Sequence, residues 1–173
     1  MKTIETERLI LRKFSIDDAK MMYENWATDI ETVKHLEWDI HTNLEETKEY
    51  LQNVVSKYEK GKLNWAIEEK ETKQVIGNIS VFNVDLVNNT CEVGYAIGSN
   101  WHGKGYGTET LKTILDYLKN EKGFYMVCSN CSSENPASRR IMEKTGMNLD
   151  AILKNRLKAR FNENRADIYC FSY

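Results

Sequence analysis

The stretch Trp101-His-Gly-Lys-Gly-Tyr-Gly-Thr-Glu109 places three glycines at alternate positions directly before a strong helical pattern. Glycine lets a backbone approach a ligand closely and take conformations that other residues avoid. The unpaired N–H groups and positive dipole end of the following helix favour an anion there, above all a phosphate or pyrophosphate. Lys104 adds a formal positive charge. This stretch, which we call the glycine loop, therefore predicts a phosphate-binding site.

Other interpretations of the glycine loop fit less well. A dinucleotide fingerprint, G-x-G-x-x-G, fits Gly103 and Gly105 but meets Thr108 where its third glycine belongs. A Walker P-loop fits Gly98, Gly103 and Lys104, but Gly105 replaces the hydroxyl residue that binds Mg²⁺. That near-match keeps a nucleotide hydrolase as an alternative. A structural turn that binds nothing is the remaining one, and three glycines at a helix start favour a binding site over it.

The glycine loop lies inside a strand–helix–strand unit. The pattern predicts a strand over residues 92–97, a helix from about Thr108, and a second strand over residues 124–128. The apolar face of the helix contains Leu111, Ile114, Leu115 and Leu118 at helical spacing. Such a crossover predicts a parallel or splayed pair of strands inside a mixed sheet.

The rest of the chain adds five strands and three helices around this unit. Strands are predicted at residues 4–11, 64–69, 75–82, about 148–161 and 165–173, the last two joined around Asn162-Glu163-Asn164. Helices begin at capping signals at Ser15, Thr42 and Asn135-Pro136. The order β-α-α-β-β-β-α-β-α-β-β predicts an α+β, or mixed α/β, fold. With a single proline and no linker or repeat, residues 1–173 are expected to form one domain.

Composition narrows the class of protein. The net charge is −2, which gives no electrostatic case for a nucleic-acid partner. No apolar run approaches the length that spans a bilayer, and charged residues interrupt the N-terminus before a signal core. We therefore expect a cytoplasmic protein without a membrane partner.

Four cysteines are present, and in the cytoplasm they are expected to be free thiols. Cys128 and Cys131 form a C-x-x-C pair, which is compatible with redox chemistry or with half of a zinc site. A zinc site needs two further ligands, and the sequence has no second C-x-x-C and no paired-histidine motif. Buried or half-buried free thiols are the favoured interpretation, and no metal is predicted.

With these motifs in order, the chain resembles the GNAT superfamily of N-acetyltransferases, and within it the ribosomal-protein N-terminal acetyltransferases of the RimJ/RimL type. The resemblance covers nearly the whole chain. Its motifs are Thr6-Glu-Arg-Leu-Ile-Leu-Arg12, Asp17-Asp-Ala19, Val75-Ile-Gly77, Glu92-Val-Gly-Tyr95, Gly103-Lys-Gly-Tyr-Gly-Thr-Glu109, Asn135-Pro-Ala-Ser138 and Met142-Glu-Lys-Thr-Gly-Met147. Gly105 and Gly107 match the family signature Q/R-x-x-G-x-G/A, with His102 in the place of Gln or Arg.

The resemblance implies a fold and a donor. The fold would be a mixed, mostly antiparallel seven-stranded sheet flanked by about four helices, and the donor acetyl-CoA. The backbone at Ala96 and Ile97 would bond to the pantetheine arm, and Asn135 and Ser138 would contact the cofactor near its thiol. The segment implied to hold the pyrophosphate comprises His102, Gly103, Lys104, Gly105, Tyr106, Gly107 and Thr108.

Acetyl transfer to an amine requires a base, an oxyanion donor and assistance to the leaving thiolate. Glu92 is the candidate base, because its strand runs beside the thioester in the fold that this chain resembles. Backbone N–H groups near Ala96 and Ile97 are the candidate oxyanion donors, and Ser138 would protonate or hydrogen-bond the thiolate. The alternatives are a Glu92 that faces solvent or pairs with a basic residue, and a Ser138 that satisfies helix N–H groups. Glu109 is expected to complement the helix dipole.

The acceptor follows from the resemblance alone. It implies that the acceptor is a protein N-terminal α-amine, such as that of a ribosomal protein. The acetyl group would pass to it directly from acetyl-CoA in a ternary complex. A small amine (a polyamine, an amino acid or an antibiotic) is one alternative, and a non-catalytic acyl-CoA-binding module is another. Acidic residues between positions 29 and 49 would favour a cationic amine if they border the acceptor cleft, although solvated helix faces are the commoner explanation. Since dimers are common in the family, a homodimer stays open.

Overall fold

The computed structural model describes residues 1–158 and 165–173. Its strands are β1 (Ile4–Glu5), β2 (Leu9–Arg12), β3 (Asn64–Glu69), β4 (Val75–Asp85), β5 (Thr90–Ile97), β6 (Met126–Ser132), β7 (Asn148–Lys158) and β8 (Arg165–Ser172). Its α-helices are α1 (Ala19–Met22), α2 (Ile30–Val33), α3 (Leu44–Ser56), α4 (Tyr106–Asn120) and α5 (Pro136–Lys144). Short 3₁₀ turns lie at Ile16–Asp18 and Ser99–Trp101, and a π-helical turn at Tyr23–Ala27 continues α1.

The described strands form one eight-stranded sheet in the order β1-β2-β3-β4-β5-β6-β8-β7. Its neighbouring pairs are antiparallel except for β5 and β6. The predicted mixed, mostly antiparallel sheet is confirmed, with eight strands rather than seven. The extra strand arises because the segment predicted as one strand turns back, so that Ile4 pairs with Leu11. The turn is closed by the Thr6 N–H, which donates to the Leu9 carbonyl at 3.0 Å.

The parallel pair at the centre of the sheet is short. β5 and β6 pair only at Thr90–Met126, Cys91–Val127 and Glu92–Cys128. One residue further on, the Val93 carbonyl accepts a hydrogen bond from the Ser129 hydroxyl at 2.9 Å. The predicted splayed pair is therefore confirmed, and the two strands separate directly after Glu92.

Two apolar layers hold the sheet. On one face α4 buries Leu111, Ile114 and Leu118 completely, as the helical spacing predicts. On the other face Trp26 and Leu51 are fully buried among residues of the N-terminal helices. Each such side chain contributes about 1.5–3 kcal/mol through burial. The middle strands thus form a rigid frame for the residues at their ends.

Two helix starts show how far the capping signals can be used. α5 begins at Pro136 after Asn135, as predicted. α3 begins one residue later than the signal at Thr42 indicates, because the Asn43 side chain accepts the hydrogen bond from the Glu46 N–H at 3.0 Å. Thr42 instead donates its N–H and hydroxyl to the Glu46 carboxylate. A threonine and an asparagine in succession are both good caps, and the sequence alone does not separate them.

The closing hairpin places the C-terminal segment beside the separated strands. β8 pairs with β6 on one side and with β7 on the other. The turn predicted around residues 162–164 lies outside the described residues. None of the described helices has the length and apolar character needed to cross a bilayer.

Candidate active site

A cavity of about 310 Å³ lies between the end of β5, the glycine loop, α2 and the start of α5. Ten predicted site residues line it: Ala96, Ile97, His102, Gly103, Gly105, Tyr106, Gly107, Thr108, Asn135 and Ser138. The other two predicted residues, Glu92 and Lys104, are not part of its lining. One cavity of ligand size thus brings together residues from three separate sequence motifs.

The glycine loop presents a row of unpaired backbone donors. Gly105 caps α4 with φ 84°, so that the helix begins at Tyr106 rather than near Thr108. The first backbone bond of the helix joins the Glu109 N–H to the Gly105 carbonyl at 3.0 Å. Within the described part of the chain, the N–H groups from residue 103 to residue 108 have no backbone or side-chain acceptor. Such a set of donors at a helix N-terminus fits a pyrophosphate.

Two glycines of this region are required by close approach. A side chain at Gly107 would start 2.7 Å from Ile141 Cδ1, so Gly107 lets α4 lie against α5. A Cβ at Gly98 would lie 2.3 Å from the Asn25 carbonyl oxygen, an immobile backbone atom. These contacts fix the two ends of the segment that joins β5 to α4.

The last residues of β5 offer backbone groups to the opening between the strands. The Gly98 N–H donates to the Ile76 carbonyl of β4 at 2.9 Å. Because the direction of hydrogen bonding alternates along an antiparallel pair, the Ala96 N–H also faces β4. The N–H groups of Tyr95 and Ile97 then face the separated β6. The hydrogen-bonding pattern between β4 and β5 therefore leaves the N–H groups of Tyr95 and Ile97, rather than that of Ala96, available to a pantetheine arm. Ala96 still lines the cavity.

His102 is directed back onto β5. Its Nε2 atom donates to the Ile97 carbonyl at 2.7 Å, which requires that Nε2 carry the proton. The same carbonyl accepts from the Thr32 hydroxyl at 3.2 Å. Asp29, which caps α2, accepts from that hydroxyl at 2.7 Å and from the Ser99 N–H at 2.9 Å. His102 therefore helps to fix the end of β5, and its contact with phosphate stays a prediction.

The hydrogen bonds to the Asp29 carboxylate make the free energy of unfolding depend on pH in the acid range. Burial raises the pKa of Asp29, but hydrogen bonds from Ser99 and Thr32 outweigh it, so the pKa lies below its ordinary value of 3.8. The stabilisation is present above the unfolded pKa and is lost as pH falls through the folded one. We expect Asp29→Asn to destabilise by about 1–3 kcal/mol at pH 7 and by a smaller amount at pH 3, which lies below the ordinary pKa of 3.8. Urea unfolding at the two pH values measures the loss in free energy of unfolding. An equal loss at both would contradict a stabilising role for the negative charge of Asp29.

Ser138 and Tyr95 form a hydroxyl pair at the start of α5. The Ser138 Oγ and Tyr95 hydroxyl oxygens are 2.9 Å apart, and the Tyr95 hydroxyl also reaches the Ser138 carbonyl at 3.2 Å. The Asn135 side chain accepts from the Ser138 N–H at 3.0 Å. Asparagine thus performs the capping that was the alternative role for the serine hydroxyl. Burial raises the pKa of Tyr95, so its hydroxyl stays protonated and able to donate.

The C-x-x-C pair does not form a joint site. Cys128 and Cys131 lie three residues apart on one regular strand and therefore point to opposite faces of the sheet. Burial raises the pKa of the Cys131 thiol to about 11, which keeps it protonated at neutral pH. Among the described residues no cluster of His, Cys, Asp and Glu side chains is arranged to hold a metal. Free thiols, buried at Cys131 and half-buried at Cys128, are the interpretation of this motif.

Glu92 lies at the point where β5 and β6 separate. It is the last residue of β5 that pairs with β6. Its carboxylate accepts hydrogen bonds from the side-chain amides of Asn83 at 2.9 Å and Asn130 at 2.6 Å. Because side chains alternate along a strand, it points to the face opposite to Tyr95. The described residues pair it with amides rather than with a basic residue, and its role as base stays a prediction.

Four charged or histidine residues of the cavity lining are not among the site residues predicted from the sequence. Arg140 and Lys144 lie four residues apart on one face of α5 and add positive charge to the lining. Glu31 and His35 come from α2 and the turn after it. Burial, with the charge of Lys34, lowers the pKa of His35, which is therefore neutral at pH 7. In the sequence, the signal for Arg140 and Lys144 is their four-residue spacing after the Asn135-Pro136 helix start.

The fold and the site together define a class of protein. A mixed sheet that separates beside a glycine-rich helix N-terminus, with unpaired amides along the opening, is the arrangement of an acetyltransferase that takes its acetyl group from acetyl-CoA. The chain belongs to the GNAT family: the family model described as an acetyltransferase (GNAT) domain matches residues 8–148. The family resemblance is confirmed, and the protein is an N-acetyltransferase.

Known proteins are similar to this chain over much of its length. The uncharacterised N-acetyltransferase p20 of Bacillus licheniformis is 28% identical over 173 residues, which covers 99% of this chain and 96% of that protein. The ribosomal-protein-serine acetyltransferase of Escherichia coli is 24% identical over 110 residues, 64% of this chain and 61% of that protein. The solved structure of RimL, a ribosomal L7/L12 α-N-protein acetyltransferase in complex with coenzyme A, shares the fold with a TM-score of 0.85 at 16% identity, covering 99% of this chain and 97% of that one.

Proposed function

We propose that this protein transfers the acetyl group of acetyl-CoA to a protein N-terminal α-amine of the ribosomal-protein type. The observation that carries the donor in this proposal is a cavity that runs from the unpaired amides of the glycine loop to the Tyr95–Ser138 pair. One end suits a diphosphate and the other suits a thioester. The opening between β5 and β6 leads from there toward Glu92. The acceptor is proposed from the similarity to ribosomal-protein acetyltransferases.

The chain's own groups fit the donor from end to end. The N–H groups of residues 103–108 would bind the pyrophosphate, with Arg140 and Lys144 as neighbouring cations. The free edge of β5 at Tyr95 and Ile97 would hold the pantetheine amides as an added strand does. One of these two N–H groups would face the acetyl oxygen and stabilise the negative charge that develops on it.

Glu92 is proposed as the group that takes the proton from the acceptor amine, directly or through water. What supports this role is its place at the separation of the strands, three residues before Tyr95. Asn83 and Asn130 fix both carboxylate oxygens, so that the base is already oriented when the amine arrives. An amine that approaches through the opening would reach the thioester from the side opposite to Ser138.

Ser138 is proposed to donate a hydrogen bond to the sulfur that leaves. Its hydroxyl is free of helix capping, and the Tyr95 hydroxyl lies within hydrogen-bond distance of it. If the Tyr95 hydroxyl donates to Ser138 Oγ instead of to the Ser138 carbonyl, the serine proton is free to point to the sulfur. The two hydroxyls would thereby stabilise the thiolate that forms as the amide bond is made.

We expect Ser138→Ala to lower kcat by about tenfold to a hundredfold, because a hydrogen bond to a charged group is worth about 1.5–3 kcal/mol. Tyr95→Phe should give a smaller loss in the same direction, and KM for acetyl-CoA should change little in both. Steady-state release of free thiol measures these values. Ser132→Ala, which removes a hydroxyl just before α5, is the matched control. A kcat equal to that of the wild type in Ser138→Ala would remove this residue from the mechanism.

A peptide panel tests the acceptor. Peptides that start with Ala or Ser, matched peptides with a blocked N-terminus, and small amines are incubated with the protein and acetyl-CoA, and products are identified by mass spectrometry. We expect a mass increase at the α-amine of a free-start peptide and none in its blocked counterpart. Acetylation confined to a small amine would contradict the ribosomal-protein type of acceptor. Binding of acetyl-CoA without any product would identify the protein as a non-catalytic acyl-CoA-binding module.

A further inference from the structure

Arg8 joins the N-terminal turn to the glycine loop across 96 residues of sequence. It lies between β1 and β2, outside the cavity lining. Its Nε and Nη2 atoms contact Glu109 Oε2 at 2.8 and 2.7 Å, and its backbone N–H donates to Glu109 Oε1 at 3.1 Å. The Nη1 atom donates to the Lys104 carbonyl at 2.8 Å. One side chain therefore binds both the loop and the first turn of α4.

The partner of Arg8 is itself held. Glu109 Oε1 also accepts from the Thr6 hydroxyl at 2.5 Å, and the Glu109 side chain is only 18% exposed. Glu109 was expected to complement the helix dipole. It also binds Thr6 and Arg8, so that expected role describes only part of what it does.

A second set of contacts fixes the same turn from the other side. The Arg8 guanidinium lies over the Tyr106 ring, 4.5 Å from its centroid. The Tyr106 hydroxyl donates to the buried carboxylate of Glu69, which also accepts from the Thr72 hydroxyl at 2.5 Å. The first residue of α4 thus has its ring and its hydroxyl both engaged.

The bond to the Lys104 carbonyl has a consequence for the next amide. In a trans peptide the C=O of one residue and the N–H of the following residue point in opposite directions. Arg8 holds the Lys104 carbonyl on its own side, outside the cavity, so the Gly105 N–H is directed away from Arg8. Gly103 and Gly105 both line the cavity, whereas Lys104 does not, as this orientation requires.

We propose that Arg8 is a positioning residue for diphosphate recognition: by holding the Lys104 carbonyl and Glu109 together, it aims the amides of the glycine loop at the pyrophosphate of acetyl-CoA. The inference rests on the proposed function, because it takes the glycine loop as the diphosphate site. It gives a task to the N-terminal Thr6-Glu-Arg motif, which no step of the transfer uses.

The test separates the diphosphate from the rest of the donor. Wild type and Arg8→Gln are compared with acetyl-CoA and with S-acetylpantetheine, which has the thioester and the pantetheine arm but no diphosphate. We expect Arg8→Gln to raise KM for acetyl-CoA about tenfold, the effect of losing roughly 1.4 kcal/mol of binding, with kcat unchanged. KM for S-acetylpantetheine should stay the same. Arg8→Lys should recover part of the loss, because one ammonium cannot reproduce both forked contacts.

Lys2→Gln is the matched control, since Lys2 pairs with Glu121 at the far end of α4 at 2.9 Å and should change neither KM. An equal loss with both donors would show that Arg8 only supports the fold, and no loss with either would show that the loop orients itself; each result overturns the proposal. If the wild type transfers no acetyl group, the proposed function fails, and calorimetric titration with coenzyme A and with pantetheine still decides the role of Arg8 by the same ratio.

Discussion

Glu92→Gln is expected to lower kcat/KM for the amine by about a hundredfold to ten-thousandfold, the range found for the loss of a general base. Glutamine keeps the size of the side chain and one acceptor oxygen, so the bonds from Asn83 and Asn130 can be retained in part. It cannot take a proton from an ammonium group. The loss should therefore appear in the chemical step, while the affinity for acetyl-CoA stays that of the wild type.

A matched variant distinguishes a base from any other surface carboxylate. Glu121→Gln, which removes an exposed carboxylate directly after α4, is the control and should behave as the wild type. A Glu92→Gln variant with full activity would exclude Glu92 as the base.

The second large effect is expected from Gly105→Val. Gly105 has φ 84°, a left-handed conformation that a β-branched residue adopts only with strain of about 1–3 kcal/mol. Its Cβ would also lie 3.4 Å from Arg8 Nη2. The loop should relax to another conformation and lose the alignment of its amides. We expect KM for acetyl-CoA to rise by roughly tenfold to a hundredfold, as measured by initial rates at saturating amine.

Gly61→Val provides the matched control for this strain. Gly61 also has a positive φ, 81°, and nothing lies within 4 Å of a Cβ built on it. It lies between α3 and β3 and does not line the cavity. Its substitution should lower the free energy of unfolding by a similar amount without changing KM. If both variants raise KM equally, the effect of Gly105→Val is one of general stability and not of the site.

Much of the fold could be predicted from local patterns. The apolar face of α4, the Asn135-Pro136 helix start and β3 at residues 64–69 follow directly from the sequence. These segments agree at every level, since spacing, caps and propensity favour the same element. The crossover argument also predicted that β5 and β6 are parallel or splayed, because a helix joins them.

Other features depend on contacts between distant residues. The first strand divides because β2 pairs with β3 while β1 only folds back on β2, and apolar alternation over residues 4–11 does not show such a reversal. β5 and β6 separate at the point where the Ser129 hydroxyl donates a hydrogen bond to the Val93 carbonyl. Local propensity carries no information on either contact.

The candidate site was predictable where its residues share a motif. The glycine loop and the start of α5 line one cavity with the end of β5, as the resemblance implies. Tyr95, Arg140 and Arg8 are positioned by tertiary packing, and a single sequence does not show that their side chains meet these elements. The sequence also does not show that Glu92 lies outside the cavity, since that depends on which face of β5 the helices cover.

The central claim is that the glycine loop makes this cavity a site for acetyl-CoA. Calorimetric titration of the wild-type protein with acetyl-CoA, and separately with ATP and Mg²⁺, tests it most directly. We predict saturable binding of one acetyl-CoA for each chain and no comparable binding of ATP–Mg²⁺, with the acetyl-CoA signal weakened in Gly105→Val and retained in Gly61→Val. Tight binding of ATP–Mg²⁺ without binding of acetyl-CoA, or acetyl-CoA binding that Gly105→Val leaves intact, would contradict the account.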